Sequence, residues 1–172
     1  EVLLSDGNGG WTFVTQPGTE DWSGEVYAGG DFDGDGFGDV VTVTREAKGF
    51  NTSMNSIVYV GRGDGRFVGA TATSTDFAIK CSEPMHSPSD LIAADWNADG
   101  RDDVFLLCGG GKALMFFGSV DVGNFVPSTR EFGTTASLGG LAAADFNGDR
   151  VPDLFVAKND GNSNGSPNVA FL

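Results

Sequence analysis

Short apolar runs recur along the chain, and each follows a polar, acid-rich stretch. These runs are rich in β-branched and aromatic residues and too short for helices, so we predict buried strands at 40–43, 104–107 and 154–157. Small-residue apolar stretches come before the acidic segments, at 26–30, 91–94 and 141–144. Each acidic segment is therefore expected to be a loop that connects two strands.

A second element follows the first in the same order. Apolar runs at 56–60 and 113–117 lead into Gly- and Asp-rich turns at 61–67 and 118–125. Gly, Asn and Asp accept positive φ at little cost, so these turns indicate hairpins. The N-terminus carries this second element alone, at 2–11. One unit is thus four antiparallel strands, the pattern of a β-propeller blade.

The repeat divides a single propeller-type domain, 1–172, into about three and a half blades. We place the end of one blade at 1–15, blades at about 24–70, 89–127 and 138–172, and an insertion at 70–90. The last blade lacks a fourth strand, which residues 8–15 would supply if the ring closed. Closed propellers usually have four to eight blades. The chain is then part of a larger propeller, pairs with a second copy or forms an unusually small ring, and the sequence leaves these open.

Composition narrows the classes of partner. The 24 acidic residues outnumber the 10 basic ones and give a formal charge of −14, which argues against nucleic acid and favours cations. No apolar run approaches the ~20 residues of a membrane-spanning helix. Cys81 and Cys108 form one disulfide or remain two core thiols. Because Glu1 opens on a strand-like run without Met, we expect a processed or excised piece.

The three acidic loops align without gaps, at 31–39, 95–103 and 145–153. Oxygen-bearing side chains stand at positions 1, 3, 5 and 9, and the carbonyl of position 7 adds a further oxygen. Gathered carboxylates repel each other by roughly 4 kcal/mol per pair at ~4 Å and an effective dielectric of about 20, so a cation is needed. All-oxygen ligands select a hard ion, and the flexible, high coordination suits Ca²⁺ better than Mg²⁺. We predict three Ca²⁺ sites, with these ligands: Asp31, Asp33, Asp35, Phe37 and Asp39; Asp95, Asn97, Asp99, Arg101 and Asp103; Asp145, Asn147, Asp149, Val151 and Asp153.

An EF-hand and a simple turn both fit these loops less well. An EF-hand needs a Glu at position 12 and flanking helices, whereas position 12 here is Thr42, Leu106 or Val156 within predicted strands. Asp- and Gly-rich loops can be simple turns, but three copies with one acid spacing disfavour that. At position 6 the third loop has Arg150 in place of Gly, so we expect its site to be the weakest.

The loops and their flanking strands resemble the FG-GAP or VCBS repeat, as found in the α-subunit propeller of integrins and in secreted bacterial and fungal proteins. The resemblance covers nearly the whole chain except 70–90 and implies a propeller whose calcium loops stiffen hairpins on one rim. It also implies a secreted, extracellular or cell-surface protein. Arg150, Ala98 at a position often occupied by Gly, and the incomplete blade count depart from the pattern.

The predicted function is a binding module for a glycan or a protein partner, because protein ligands fill the calcium shell and leave little room for chemistry. The alternative is a portion of a secreted polysaccharide-acting enzyme, for which the lone His86 is the candidate. No nucleophile elbow, zinc motif or phosphate loop occurs in the sequence. We expect Phe32, Trp96 and Phe146 to pack between blades and Trp11 to be core, which leaves Trp22 as the tryptophan for sugar stacking.

Overall fold

Strands make up all the regular secondary structure that the computed structural model of the chain describes. The described residues are 2–16, 24–48, 51–72, 81, 87–109, 112–121, 124–133, 138–158 and 169–171. The strands are β1 (Val2–Ser5), β2 (Trp11–Val14), β3 (Val26–Gly30), β4 (Asp39–Lys48), β5 (Asn51–Gly61), β6 (Phe67–Ala72), β7 (Pro88–Ala94), β8 (Asp103–Cys108), β9 (Lys112–Phe117), β10 (Val126–Gly133), β11 (Leu138–Ala144), β12 (Asp153–Lys158) and β13 (Val169–Phe171). Within these residues no helix is long and apolar enough to cross a membrane.

The strands form four antiparallel sheets in chain order. These are the N-terminal hairpin β1–β2, the first sheet β3–β4–β5–β6, the second sheet β7–β8–β9–β10 and the third sheet β11–β12–β13. The prediction of an all-β chain with four-stranded antiparallel units is confirmed in the first and second sheets. The first strand of each sheet contacts the first strand of the next, β3 with β7 and β7 with β11. This arrangement is compatible with successive propeller blades.

Closure of a ring through residues 8–15 is not seen in the described part of the chain. There β2 pairs with β1, in the register Ser5 opposite Trp11, and β13 pairs with β12. The hairpin instead lies against the first sheet. The Gln16 side chain donates to the Gly65 carbonyl at 2.7 Å and accepts the Phe67 N–H at 3.1 Å.

The second sheet is covered on both faces, and this is why the sequence of its strand β8 is almost wholly apolar. Side chains alternate across a strand, so every second residue faces the same neighbour. Val104, Leu106 and Cys108 join the core between the first and second sheets, with Val41 and Val43 of the first.

Phe105 and Leu107, the other apolar residues of β8, belong to a second core between the second and third sheets. Leu154 and Val156 of β12 complete it, and Trp96 packs at its edge. Each core is therefore an interface between consecutive sheets, as expected for units that cannot bury their apolar faces alone.

Two aromatic residues differ from the prediction. Trp11 is exposed, because it lies on the face of the N-terminal hairpin that turns away from the first sheet. Phe146 is also exposed, because the described residues place no further sheet beside the third. Phe32 and Trp96 do pack between sheets, Phe32 against Phe125 and Trp96 against Phe105.

The cysteines are joined. A disulfide links Cys81 to Cys108, the last residue of β8, with Cα atoms 5.8 Å apart. Both half-cystines are buried in the core between the first and second sheets. The bond ties the part of the chain before β7 to the centre of the second sheet. Of the predicted insertion, 70–90, residues 70–72 belong to β6 and 88–90 to β7, while 73–80 and 82–86 lie outside the described residues.

Candidate metal centre

The three acidic loops, 31–39, 95–103 and 145–153, fold alike. Each joins the first strand of its sheet to the second, as β3 to β4, β7 to β8 and β11 to β12. The backbone turns through positive φ at positions 4 and 6 of every loop: +80° and +88° at Gly34 and Gly36, +56° and +85° at Ala98 and Gly100, +85° and +75° at Gly148 and Arg150. Glycine takes this conformation freely, whereas Ala98 and Arg150 are strained there.

The acid at position 1 organises each loop by accepting backbone hydrogen bonds. Asp31 accepts the N–H groups of Gly34 at 2.8 Å, Asp35 at 3.1 Å and Gly36 at 2.8 Å. Asp95 and Asp145 do the same in their loops, with Asp99 and Gly100, and with Gly148, Asp149 and Arg150. The repeated aspartate is thus required to shape the loop as well as to supply oxygen atoms.

Positions 3 and 5 each accept an N–H from two residues further on. Asp33 accepts from Asp35 at 3.0 Å, and Asp35 accepts from Phe37 at 2.8 Å. In the second and third loops position 3 is an asparagine that keeps this bond. Its amide also donates to the carboxylate at position 5, at 3.1 Å in each case, from Asn97 to Asp99 and from Asn147 to Asp149.

The acid at position 9 is buried in every loop, and in the first two loops it connects the loop to the rest of its sheet. Asp39 accepts the N–H of Phe32, at position 2, and that of Gly61, at the end of β5. Asp103 accepts in the same way from Trp96 and Gly118. The loop, its following strand and the outer hairpin therefore share one carboxylate.

Three acids of the first loop come together. Oxygen atoms of Asp31, Asp33 and Asp39 all lie within 4.8 Å of one another, and this is the one such group of three acids among the described residues. Asp35 does not belong to this group. The other two loops offer an asparagine oxygen at position 3, so their sets carry one carboxylate fewer. Three carboxylates so close repel one another, and their all-oxygen donor set would fit a hard divalent ion such as Ca²⁺.

Burial acts on the position-9 acids. It raises the pKa of Asp39, against hydrogen bonds from Gly61 and Phe32, and the charges of Asp33 and Asp35 raise it further. The same burial, with Asp99 and Asp95 nearby, raises the pKa of Asp103 to about 6, despite the N–H groups of Gly118 and Trp96. A bound cation would favour the ionised form of both and remove this penalty.

Two further loop acids are held ionised. The N–H of Arg150, with those of Gly148, Asp149 and Asn147, lowers the pKa of Asp145, although burial works against it. For Asp99, burial raises the pKa. The Arg101 N–H, the Asn97 amide and the Arg101 charge lower it by more, so the pKa lies below its ordinary value.

The side chain of Arg101 takes part in the second loop in a way that was not predicted. Only its carbonyl was predicted as a ligand, yet its guanidinium pairs with Asp99 at 2.6 Å. This pair places a positive charge on an acid of the second loop and would compete with a metal ion bound there. The described residues show no such pair for Arg150, whose charge was one reason for expecting the third site to be weakest. The order of the three affinities stays a prediction.

Two acids that were not predicted as ligands hold neighbouring sheets together. Asp102, at position 8 of the second loop, accepts the N–H of Asp31 at 2.8 Å. Asp90 of β7 accepts the N–H of Leu141 of β11 at 2.8 Å. No repeat marks either residue, so no sequence signal pointed to them. Trp22 and His86, the candidates for sugar stacking and catalysis, lie outside the described residues.

Consecutive antiparallel sheets, each with a similar acidic loop between its first two strands, define a β-rich repeat protein. The sequence matches the FG-GAP-like repeat at 31–106 and again at 95–156, which together cover more than half of the chain. The chain belongs to the FG-GAP-like repeat family, and such repeats are typical of a propeller-like module. No curated protein matches it at a significant level.

Proposed function

We propose that the chain is a calcium-stabilised, extracellular propeller module that binds a glycan or a protein partner and carries out no chemistry. The observation that carries the calcium part is the group formed by Asp31, Asp33 and Asp39, whose oxygen atoms lie within 4.8 Å of one another. No basic side chain of the first loop offsets these charges, because 31–39 contains neither Lys nor Arg.

The role of calcium is structural. In each loop the acids at positions 1 and 9 bond the backbone of the loop, and in the first two loops the position-9 acid also bonds the outer hairpin, so an ion held between them would stiffen the same elements. The loops at 95–103 and 145–153 would hold ions in the same manner, with Asn97 and Asn147 each supplying a neutral oxygen. The predicted ligands are all protein oxygens and would fill the shell, which supports a stabilising ion over a catalytic one.

The disulfide supports the extracellular location. Disulfides persist in oxidising compartments and are rare in the cytosol, and Cys81–Cys108 is buried in a core between sheets. Extracellular calcium is also high enough to fill sites with dissociation constants on the order of 10⁻⁴ M.

Calcium titration of two variants tests the site. Asp33→Ala removes a carboxylate from the group in the first loop, whereas Asp33→Asn keeps the backbone bond to Asp35 and copies the other two loops. We expect the gain in melting temperature on adding calcium to fall strongly in Asp33→Ala and less in Asp33→Asn, since stabilisation follows occupancy.

Asp121→Ala is the matched control, because Asp121 is an exposed acid outside the three loops. It removes the same charge and should respond to calcium like the parent. If Asp33→Ala, Asp121→Ala and the parent all gain the same stability with calcium, the ion is not bound where we place it.

A glycan array with the calcium-loaded protein tests the binding role. Sugar-binding propellers present faces and clefts between blades, and the family assignment supports such a surface here. A selective set of bound glycans that is lost on chelation would support a glycan ligand. If no glycan binds at high protein concentration, the result would contradict a glycan ligand and favour a protein partner.

A further inference from the structure

The interface between the first and second sheets uses an aromatic contact between two elements that recur along the chain. Phe32, at position 2 of the first loop, packs edge to face on Phe125, with ring centroids 5.4 Å apart. Phe125 comes directly before β10, in the outer hairpin of the second sheet. The loop of one sheet thus contributes one ring, and the outer hairpin of the next sheet contributes the other.

Trp11 occupies the place of Phe125 in the N-terminal hairpin. Ser5 pairs with Trp11, and Gly61 pairs with Phe67 in the corresponding hairpin of the first sheet. Leu4 lies against Gly65 of the first sheet and is 38% exposed, so the face that carries Leu4 is partly covered. Side chains alternate across strands, which puts Leu3, Trp11 and Phe13 together on the opposite face. That face is open: these three side chains are 50%, 64% and 69% exposed.

Phe146 occupies the place of Phe32 in the third loop. It is 55% exposed, whereas Phe32 is 1% exposed under Phe125. The central strand of the third sheet, β12, is also less buried than its counterpart in the second sheet, β8. Phe155 of β12 is half-buried, whereas Phe105, two places after the loop acid Asp103 as Phe155 is after Asp153, is fully buried.

The chain therefore exposes both halves of its own internal interface. The N-terminal face, Leu3, Trp11 and Phe13, is the half that a following sheet presents. The C-terminal face, Phe146 and Phe155, is the half that a preceding sheet presents. We propose that two copies of this chain associate head to tail, with the N-terminal face of one packed on the C-terminal face of the other and Trp11 lying against Phe146.

A second copy fits these faces because the chain already packs its consecutive sheets on one another in two cores, and the first core includes the ring contact of loop and outer hairpin. The contact joins two different surfaces, so each copy keeps one face open for a further copy and the assembly is a ring or a filament. The formal charge of −14 makes copies repel one another. Association should therefore strengthen as salt screens that charge.

Sedimentation of the parent and three variants tests the proposal. Trp11→Glu blocks the N-terminal face and Phe146→Glu blocks the C-terminal face. Val120→Glu is the control, because Val120 is 71% exposed in the hairpin between β9 and β10 and lies on neither face. At physiological salt with calcium, we expect the parent and Val120→Glu to associate. Each blocked variant alone should be monomeric, with its dissociation constant raised about tenfold or more.

Mixing the two blocked variants distinguishes a head-to-tail contact from a symmetric one. Phe146→Glu keeps an intact N-terminal face and Trp11→Glu keeps an intact C-terminal face, so the mixture should form 1:1 dimers that grow no further. A parent that stays monomeric at high concentration overturns the proposal, since the faces then have another cover, in the same molecule or in a different partner. It is equally overturned if the parent associates but the mixture does not, or if Val120→Glu abolishes association.

Discussion

Asp31 and Asp102 exchange hydrogen bonds across the boundary between the first and second sheets. The Asp31 N–H donates to the Asp102 carboxylate at 2.8 Å, and the Asp102 N–H donates to the Asp31 carbonyl at 2.7 Å. Asp31 is position 1 of the first loop and Asp102 is position 8 of the second. The two loops are therefore directly connected, although their predicted ligand sets share no residue.

Asp102→Ala should weaken the first loop more than the second, which contains the substitution. Loss of a charged acceptor from a half-buried N–H costs about 1–2 kcal/mol in the free energy of unfolding. Because the lost bond holds Asp31, calcium affinity at the first loop should fall too. Urea denaturation gives the first quantity and calcium titration the second.

Asp121→Ala is again the control, because it removes one exposed acid that takes no part in the exchange between Asp31 and Asp102. It should leave the free energy of unfolding and the calcium affinity near the parent values. Equal losses in Asp102→Ala and Asp121→Ala would show that charge, not the exchanged hydrogen bonds, connects the loops.

The repeat allowed much of the fold to be predicted. Small residues, an acidic loop and a short apolar strand recur three times, and the alternation of side chains along a strand then requires an apolar neighbour on each side. The strand 104–107 was predicted as buried, and β8 is buried on both faces because sheets cover it from both sides.

The contacts between sheets could not be predicted in the same way. Asp102 and Asp90 act through single hydrogen bonds to a neighbouring sheet, and no repeat marks them. The pair formed by Arg101 and Asp99 depends on a side-chain conformation that spacing does not determine. Trp11 shares its place in the repeat with the buried Phe125 but is exposed, because burial depends on which sheet lies beside a residue.

Arg150→Gly should stabilise the third loop. Arg150 has a φ of +75°, a conformation that costs a residue with a side chain about 1 kcal/mol relative to glycine. The hydrogen bond from its N–H to Asp145 needs no side chain and should survive. We expect the free energy of unfolding to rise by up to about 1 kcal/mol, and calcium affinity to rise as a positive charge leaves the loop.

Ala98→Gly in the second loop is the matched comparison, because it relieves a φ of +56° without changing charge. Calcium affinity should respond to Arg150→Gly more than to Ala98→Gly. Equal responses would assign the effect to backbone strain alone, and a loss of stability in Arg150→Gly would contradict the prediction.

Removal of the disulfide should be costly. Cys81 and Cys108 are 27 residues apart in sequence, and closing a loop of that length restricts the unfolded chain by about 2–4 kcal/mol. We expect Cys81→Ala with Cys108→Ala to lower the free energy of unfolding by that amount in denaturant titrations. A reducing agent should destabilise the parent similarly and leave the double variant unchanged. A parent insensitive to reduction while unfolding would show that the bond does not form.

The stability of the metal-free protein should depend on pH through Asp103. Burial raises the pKa of Asp103 to about 6 in the folded state, whereas an unfolded aspartate has a pKa near 3.9. Between these values the folded protein binds more protons than the unfolded chain, so the contribution of Asp103 to the free energy of unfolding falls as pH rises. The loss is complete above about pH 6 and amounts to at most about 3 kcal/mol.

Asp103→Asn removes this titrating group. The free energy of unfolding of parent and variant is measured from pH 4 to 7, in protein freed of metal on a chelating resin, and the two slopes against pH are compared. The parent should lose stability with rising pH relative to Asp103→Asn, and Asp121→Asn should follow the parent. Calcium binds the ionised carboxylate, so saturating calcium should remove the downward slope. If parent and Asp103→Asn have the same slope without metal, the folded-state pKa of Asp103 is not raised and the position-9 acid carries no penalty for a cation to relieve.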